Sequence, residues 1–504
     1  MIVINGQGPA PKAATPELFA AKGKVDGNGP LGATIPAMLD AMALALEAKG
    51  TMRFEQVMQP AIEYADGFPM YAFLRDVLIR ERAATERYES SRTTYYPQGR
   101  VPDVGETFRQ PNLAQTLRAI VARERAAFTR THDRASAIRA GRDAFYTGDI
   151  AHRIADANRA AGGVFAYEDL ASYHGAIEKP VVATFHGFDV YKAGPWDQGP
   201  VLLQTLNILE AIDLGKYGAG SAEYIHSVHE AIKLAYDDRN ALYGDPAFAT
   251  VPLFGLLSKP YAAQRRALIG RSASLEHRPG DPFPFDPSVK APAARYVPHP
   301  QGPRGANAVG DTTCVDVVDK DGNLFSATPS SGWLLGGAFV AGDTGVPLSN
   351  RMQVFDLDPL SPNVLAGGKR PRTTLTPTIV LRDGKPFLAI STPGGDSQDQ
   401  QILNVLLNVF VFRMGLQEAI EAPRFNSLHP FSSFDNHESL PGVLEIEDRV
   451  PQAVRDELAA RGHKLRVLGP YAMSTGVVAV GVEPKSGALR GGADPRRERY
   501  IFGW

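Results

Sequence analysis

Two short runs in this chain have residue types that could carry acyl transfer: the threonine pair Thr312-Thr313 and the glycine pair Gly394-Gly395. A threonine hydroxyl attacks a carbonyl only when a base takes its proton. A backbone cut just before a threonine would free an α-amine, with an ordinary pKa of about 7.7 to 8.0, on that same residue. The glycine pair ends the strand-like run LAISTPGG. Two N–H groups unobstructed by side chains could cradle the oxyanion of such an attack, where losing one donor costs roughly 3 to 4 kcal/mol. Both runs also have plain structural readings: threonines at the start of a strand favour the pleat, and paired glycines make a strand-to-helix turn. What sets Thr312 apart is its place, where a Pro/Gly-rich stretch meets the run TTCVDVV.

The elements that would position these residues follow from periodicity. Ile35, Met38, Leu39, Met42 and Leu46 recur at helical spacing, with Gly50 as a stop. MRFEQVMQPAIEYADGFP, NLAQTLRAIVARERA and GRDAFYTGDIAHRIADANRAAGG give similar patterns, broken by Pro60 and by glycines. A strand pair is expected around VVATFHGFDVYKAG, then helices over VLLQTLNILEAI and AEYIHSVHEAIKLAYDDRNALY. His226, His229 and Glu230 share the second of these helices without the spacing of a zinc helix, so packing and capping is their reading. From about Gly280 to Gly310 the density of Pro and Gly predicts a flexible surface segment, either a linker or a loop to be cut and moved aside. Beyond Thr312 two DG turns mark hairpins, in TTCVDVVDKDGNLFSATPS and TPTIVLRDGKPFLAISTPGG. A helix QILNVLLNVFVFRMG, a strand HKLRVLG and a pair VVAVGVEPKSGALRGG complete the chain, a succession that suggests stacked sheets with helical outer layers.

Composition bounds the partners. The 504 residues are 44% hydrophobic and 21% charged, with a formal net charge of -2, so a large core is available and nothing points to nucleic acid. One cysteine, Cys314, excludes an internal disulfide and a multi-cysteine metal site; it reads as a packing thiol, the alternative being a nucleophile that needs the cut shifted by two residues. MIVINGQGPAP has no basic n-region and no long apolar stretch, so the chain as written reads as soluble and cytoplasmic, with no membrane partner.

The segments TTCVDVVDKDGNLFSAT, AGDTGVPLSN, GGKRPRTTLTPTIV, TPGG, EAIEAPRFN and GGADPRRE, in this order, resemble the small subunit of the γ-glutamyltranspeptidase family. Upstream, APKAATPELF, QPAIEYADGFP, LNILEAIDLG and HEAIKLAYDDRNALYGDP extend the resemblance over nearly the whole chain. It implies an α+β N-terminal-nucleophile hydrolase, a four-layer αββα sandwich of two stacked, mainly antiparallel sheets with additional helices in the N-terminal half. It further implies a precursor that cuts itself between Asp311 and Thr312, giving a large portion 1–311 and a small portion 312–504 that pair as a heterodimer. Thr312 would be the nucleophile and Gly394 and Gly395 the oxyanion donors, with no metal or cofactor. Ser330 stands where the family keeps a second threonine hydrogen-bonded to the nucleophile, although a turn serine after Pro329 reads equally well. The substrate would be a small-molecule or peptide amide.

The chain departs from the family where a γ-glutamyl head group would be read. The family's large-subunit arginine falls near Gln7, its pocket asparagine at Gly332, its acid or amide at Arg351 and its aspartate at Val354. No acid is then left for an ammonium, while Thr373 and Thr374, in place of paired serines, could donate to a carboxylate with Arg351 reinforcing them. Trp333 is read as a pocket wall or as a core tryptophan. The expected acyl group is neutral or anionic, which brings a glutaryl- or cephalosporin-type acylase close behind. An unprocessed binding scaffold is the reading from another class. The loop between LSPN and GGKRP is short, and the helix the family carries ahead of MIVING is absent; a misassigned start would have removed any periplasmic or secretory export signal.

Overall fold

The computed structural model describes residues 1–303 and 310–504, so residues 304–309 of the Pro/Gly-rich stretch lie outside the described residues. The first part is helical, with helices Met38–Lys49, Phe54–Asp66, Pro111–Thr131, Arg134–Tyr146 and Asp149–Ala160 packed around Phe54, Ile138, Tyr146 and Ile154. Two expectations need correction. The first helix starts at Met38, not at Ile35, because Pro36 holds the residue before it out of the helical region. Helix Phe54–Asp66 runs through Pro60, which lies on the exposed side, where water can satisfy the carbonyl that Pro60 cannot reach.

The core is a six-stranded antiparallel sheet. Its strands in chain order are β1 (Val181–Phe185), β2 (Phe188–Lys192), β5 (Thr378–Arg382), β6 (Lys385–Ser391), β7 (Val478–Val482) and β8 (Leu489–Ala493), and their spatial order is β8-β7-β6-β5-β2-β1. The intervening β3 (Val315–Val318) and β4 (Leu324–Ala327) form a separate hairpin that stacks on β6 and β7. Both tight turns of the main sheet have positive φ at the two central positions, His186-Gly187 and Asp383-Gly384, the backbone that matches strand twist and that the DG pair signals. On the other face lie helices α1 (Pro200–Leu209), α2 (Ala222–Leu242) and α3 (Gln398–Phe410). Phe387 to Ser391 of β6 are all buried, as a strand covered on both faces requires. The result is the two-sheet α+β sandwich expected.

Helix α2 is buried on every side from Tyr224 to Ala241 rather than along one stripe. Its polar residues are therefore paired: Lys233 with Glu230, Arg265 with Asp238, Arg239 with Asp396. The stretch before residue 304 is also less loose than its composition suggests. It holds one short turn, Phe283–Phe285, and is pinned by buried Asp286, Tyr296 and Gln301.

Candidate active site

Just ahead of Thr312 lies the short antiparallel pair Gly310–Asp311 with Gly332–Trp333, in which Asp311 faces Gly332. Thr312 comes next and is 8% exposed. Its Oγ1 donates to Ser330 Oγ at 3.2 Å and accepts from Gln398 Nε2 at 3.4 Å. Ser330 Oγ also accepts the Gly332 N–H at 3.3 Å, and the Thr313 N–H donates to the Pro329 carbonyl at 3.1 Å, so the Ser330 turn and the Thr312 strand fix each other.

Gln398 is the first residue of α3, and the turn ahead of it is Gly394–Gly395, with φ of 126° and 58°. A Cβ on Gly394 would lie 2.7 Å from Thr475 Cγ2, and one on Gly395 would lie 2.8 Å from Phe434 Cε2, so both positions require glycine. Neither N–H donates to a protein acceptor among the described residues, and both sit at the positive end of α3. The contact from Gln398 brings this turn beside Thr312.

A second segment closes the site. Gln198, fully buried ahead of α1, donates through Nε2 to the carbonyls of Thr374 at 3.2 Å and Gly395 at 3.3 Å, and its Oε1 accepts from Arg239 at 2.8 Å. Next to it, Asp197 accepts at Oδ1 from the Gln198 N–H at 2.8 Å and from Thr373 Oγ1 at 3.3 Å. Burial first, and then the neighbouring Asp399 carboxylate, push the Asp197 carboxyl up to about 7. Arg351 is 2% exposed, its Nε and Nη1 have no protein partner among the described residues, and burial lowers it to about 10 against the field of Asp197. Thr374 Oγ1 and Asp197 Oδ2 are likewise buried without a partner among the described residues.

Thr312, Ser330, Gly394, Gly395, Thr373 and Thr374 thus come together, with Arg351 beside Gly332. Gly332 has φ of 105°, and a Cβ there would lie 2.0 Å from Asn350 Oδ1. The Asn350 amide fills that space, accepting from the Trp333 N–H at 3.2 Å and donating to the Gly27 carbonyl at 3.0 Å. The indole of Trp333 lies against Gly27 and Gln353, half-buried. Gln7 folds back on its own chain, bonding the Gly8 carbonyl, and Val354 is fully buried. Asp197, a buried acid whose field reaches Arg351, is a residue that sequence reasoning missed. Gln398 and Gln198 were missed as well. For Gln398 there was a signal: the polar run QDQQ opens α3, yet all four residues are buried, which demands partners.

The helix histidines form a relay away from the site. His226 Nε2 bonds the Gly270 carbonyl, His226 Nδ1 meets His463 Nε2, His463 Nδ1 meets His229 Nδ1, and His229 Nε2 meets Ser427 Oγ, all between 2.7 and 3.0 Å. One set of tautomers satisfies every nitrogen in this chain. Glu230, whose carboxylate lies near His226 and His463, is engaged by Lys233. Cys314 is half-buried on the approach to β3.

Comparison with known proteins agrees with this geometry. The Gamma-glutamyltranspeptidase family profile matches residues 1–504. The chain is 32% identical to the glutathione hydrolase-like YwrD proenzyme of Bacillus subtilis (strain 168), over 99% of this chain and 86% of that protein. It is 30% identical to the acylase ACY 1 proenzyme of Pseudomonas sp. (strain SE83), over 98% of this chain and 81% of that protein. In three dimensions it is similar to the cephalosporin acylase of Bacillus halodurans, with a TM-score of 0.84 at 27% identity, covering 100% of this chain and 84% of the other. A buried threonine hydroxyl at a strand start, a glycine turn ahead of a buried helix and a stacked-sheet core therefore have one explanation: the chain belongs to the gamma-glutamyltranspeptidase family of autoprocessing N-terminal-nucleophile hydrolases and transferases.

Proposed function

We propose that Thr312 is both the residue that cuts the chain and the nucleophile of the enzyme so formed. The observation that carries this is the setting of its hydroxyl: buried, donating to Ser330, accepting from Gln398, and one residue beyond the Asp311–Gly332 pair. In the precursor, Oγ1 attacks the Asp311 carbonyl carbon and loses its proton. The C–N bond then breaks, the Thr312 nitrogen becomes an amine, and Asp311 is left as an ester on Oγ1. Water hydrolyses the ester, so that portions 1–311 and 312–504 remain associated as a heterodimer.

In turnover the Thr312 amine takes the Oγ1 proton, the hydroxyl attacks the substrate amide, and the N–H groups of Gly394 and Gly395 hold the oxyanion. The leaving amine departs with a proton, and water or an acceptor amine removes the acyl group. Ser330 and Gln398 orient Oγ1 throughout. Arg351 and Thr374 receive a carboxylate on the acyl chain, because an unpartnered buried guanidinium is costly until an anion meets it, whereas the Thr373 hydroxyl expected beside them already donates to Asp197. The substrate is an amide of a small molecule or peptide with an acidic acyl part, which favours acylase-like specificity over strict γ-glutamyl recognition.

Thr312→Ala is the test of the first claim. The wild-type protein should resolve into two bands on a denaturing gel and the variant into one; two bands from the variant sink the assignment. Relative turnover of glutaryl- and γ-glutamyl-p-nitroanilide tests the second, with the glutaryl compound expected to be preferred.

A further inference from the structure

Three buried polar groups without a partner among the described residues come to the acyl side of the site from three segments: Asp197 Oδ2, Arg351 Nε and Nη1, and Thr374 Oγ1. Their placement is rigid. Thr373 is tied to the Asp197 segment by its N–H to the Trp196 carbonyl at 3.0 Å and by its hydroxyl to Asp197 Oδ1 at 3.3 Å. Gln198 ties Thr374 to Gly395. The side chain of Arg351 passes Gly332, with its Cδ 3.7 Å from where a Cβ there would sit, and Gly332 is paired with the residue before Thr312. Asp197 is the acid whose field reaches Arg351, yet no ion pair joins the two among the described residues. A buried acid and a buried guanidinium that make no ion pair with each other are completed by a group between them.

We propose that Asp197 is a specificity residue of the acyl subsite, binding a dicarboxylic acyl group together with a proton. The distal carboxylate of that group lies between Arg351, Thr374 and Asp197, whose Oδ2 then carries hydrogen and donates to it. The inference rests on the reading of this pocket as the acyl side of Thr312. Its physical basis is that two carboxylates cannot share a buried site unless one is protonated. The surroundings of Asp197 make that proton accessible at neutral pH. Burial and Asp399 on α3 raise its carboxyl to about 7, while Lys192 on β2, itself paired with Asp399 at 2.8 Å, the Gln198 N–H and the Thr373 hydroxyl oppose the rise. Arg351 is the remaining charge that faces it. An acyl group bearing an ammonium would prefer the ionised form, so the two ligand classes give pH slopes of opposite sign.

The experiment is calorimetric titration of the processed wild-type enzyme with glutarate from pH 6 to 9, in buffers of different ionisation enthalpy. Glutarate should take up close to one proton per molecule bound near pH 8, and its affinity should fall about tenfold per pH unit above roughly 7. Asp197→Asn, whose amide always donates, should bind glutarate with a flat pH dependence and no proton uptake. An affinity that is flat or rises with pH in the wild-type enzyme, no proton taken up, or no binding at any pH overturns the proposal. The wild-type proton count stands even if the variant does not fold. No turnover is involved, so a negative result leaves the role of Thr312, read from chain cleavage, untouched.

Discussion

Replacing Gln398 with leucine removes the amide that donates to the Thr312 hydroxyl while filling most of its space. The donor lies 3.4 Å from Oγ1 and the side chain is fully buried. As Oγ1 gives up its proton it gains negative charge, and the hydrogen bond from Gln398 strengthens at that moment. Hydrogen bonds to charged groups contribute about 1.5 to 3 kcal/mol, and donors aimed at a developing oxyanion about 2.7 to 4 kcal/mol. A contact this long belongs at the lower end, from about 1.5 to 2.7 kcal/mol, which converts at about 1.4 kcal/mol per decade to a roughly 10- to 100-fold loss of rate. Gln398 Oε1 has no protein partner among the described residues, so no acceptor-bound donor is stranded by the change and the melting temperature should move little. The assay has two readouts: the half-time of chain cleavage in freshly folded protein, and the acylation burst with a p-nitroanilide substrate. Both should slow together with KM nearly constant. Cleavage and burst rates within twofold of wild type would refute the reasoning.

Further outcomes follow from other positions. Gly394→Ala meets Thr475 Cγ2 at 2.7 Å with φ of 126°, so backbone strain and overpacking should cost about 2 to 6 kcal/mol, read as a lowered denaturation midpoint together with lost turnover. Gly332→Asn, which restores the family's amide, should destabilise the protein without improving γ-glutamyl turnover, because Asn350 Oδ1 stands 2.0 Å from the new Cβ; a higher γ-glutamyl to glutaryl rate ratio would contradict this. Burial and then the neighbouring His226 lower His463 to about 3. Its unfolded form binds protons first, so stability present above about pH 6.5 is lost as the pH falls from there through 3, with about 2 kcal/mol gone by pH 5. Urea melts of His463→Gln should show a correspondingly flatter decline over that interval.

The parts of the fold governed by local rules were legible in the sequence. A DG pair between alternating strands specifies a turn with positive φ, and Asp383-Gly384 adopts it. Thr312 and the glycine pair were legible because they lie at element boundaries, where a strand begins and where one ends. The residues that support them were not. Gln398 reaches Thr312 across 86 positions, and Gln198 reaches Gly395 across 197, so no periodicity links them. Asp197 was hidden because its place beside the site depends on the packing of the chain ahead of α1 against Thr373, 176 positions away. Pro60 misled for a related reason: its cost depends on which side of the helix faces water.

The most direct measurement is N-terminal sequencing of every fragment in the purified protein, beside the same preparation of Thr312→Ala. The expected result is two sequences from the wild type, one beginning at Met1 and the other Thr-Thr-Cys-Val from Thr312, and only the first from the variant. A second amino terminus at any other residue, or a wild-type chain that stays whole through folding, would leave the hydroxyl without its amine and contradict the account.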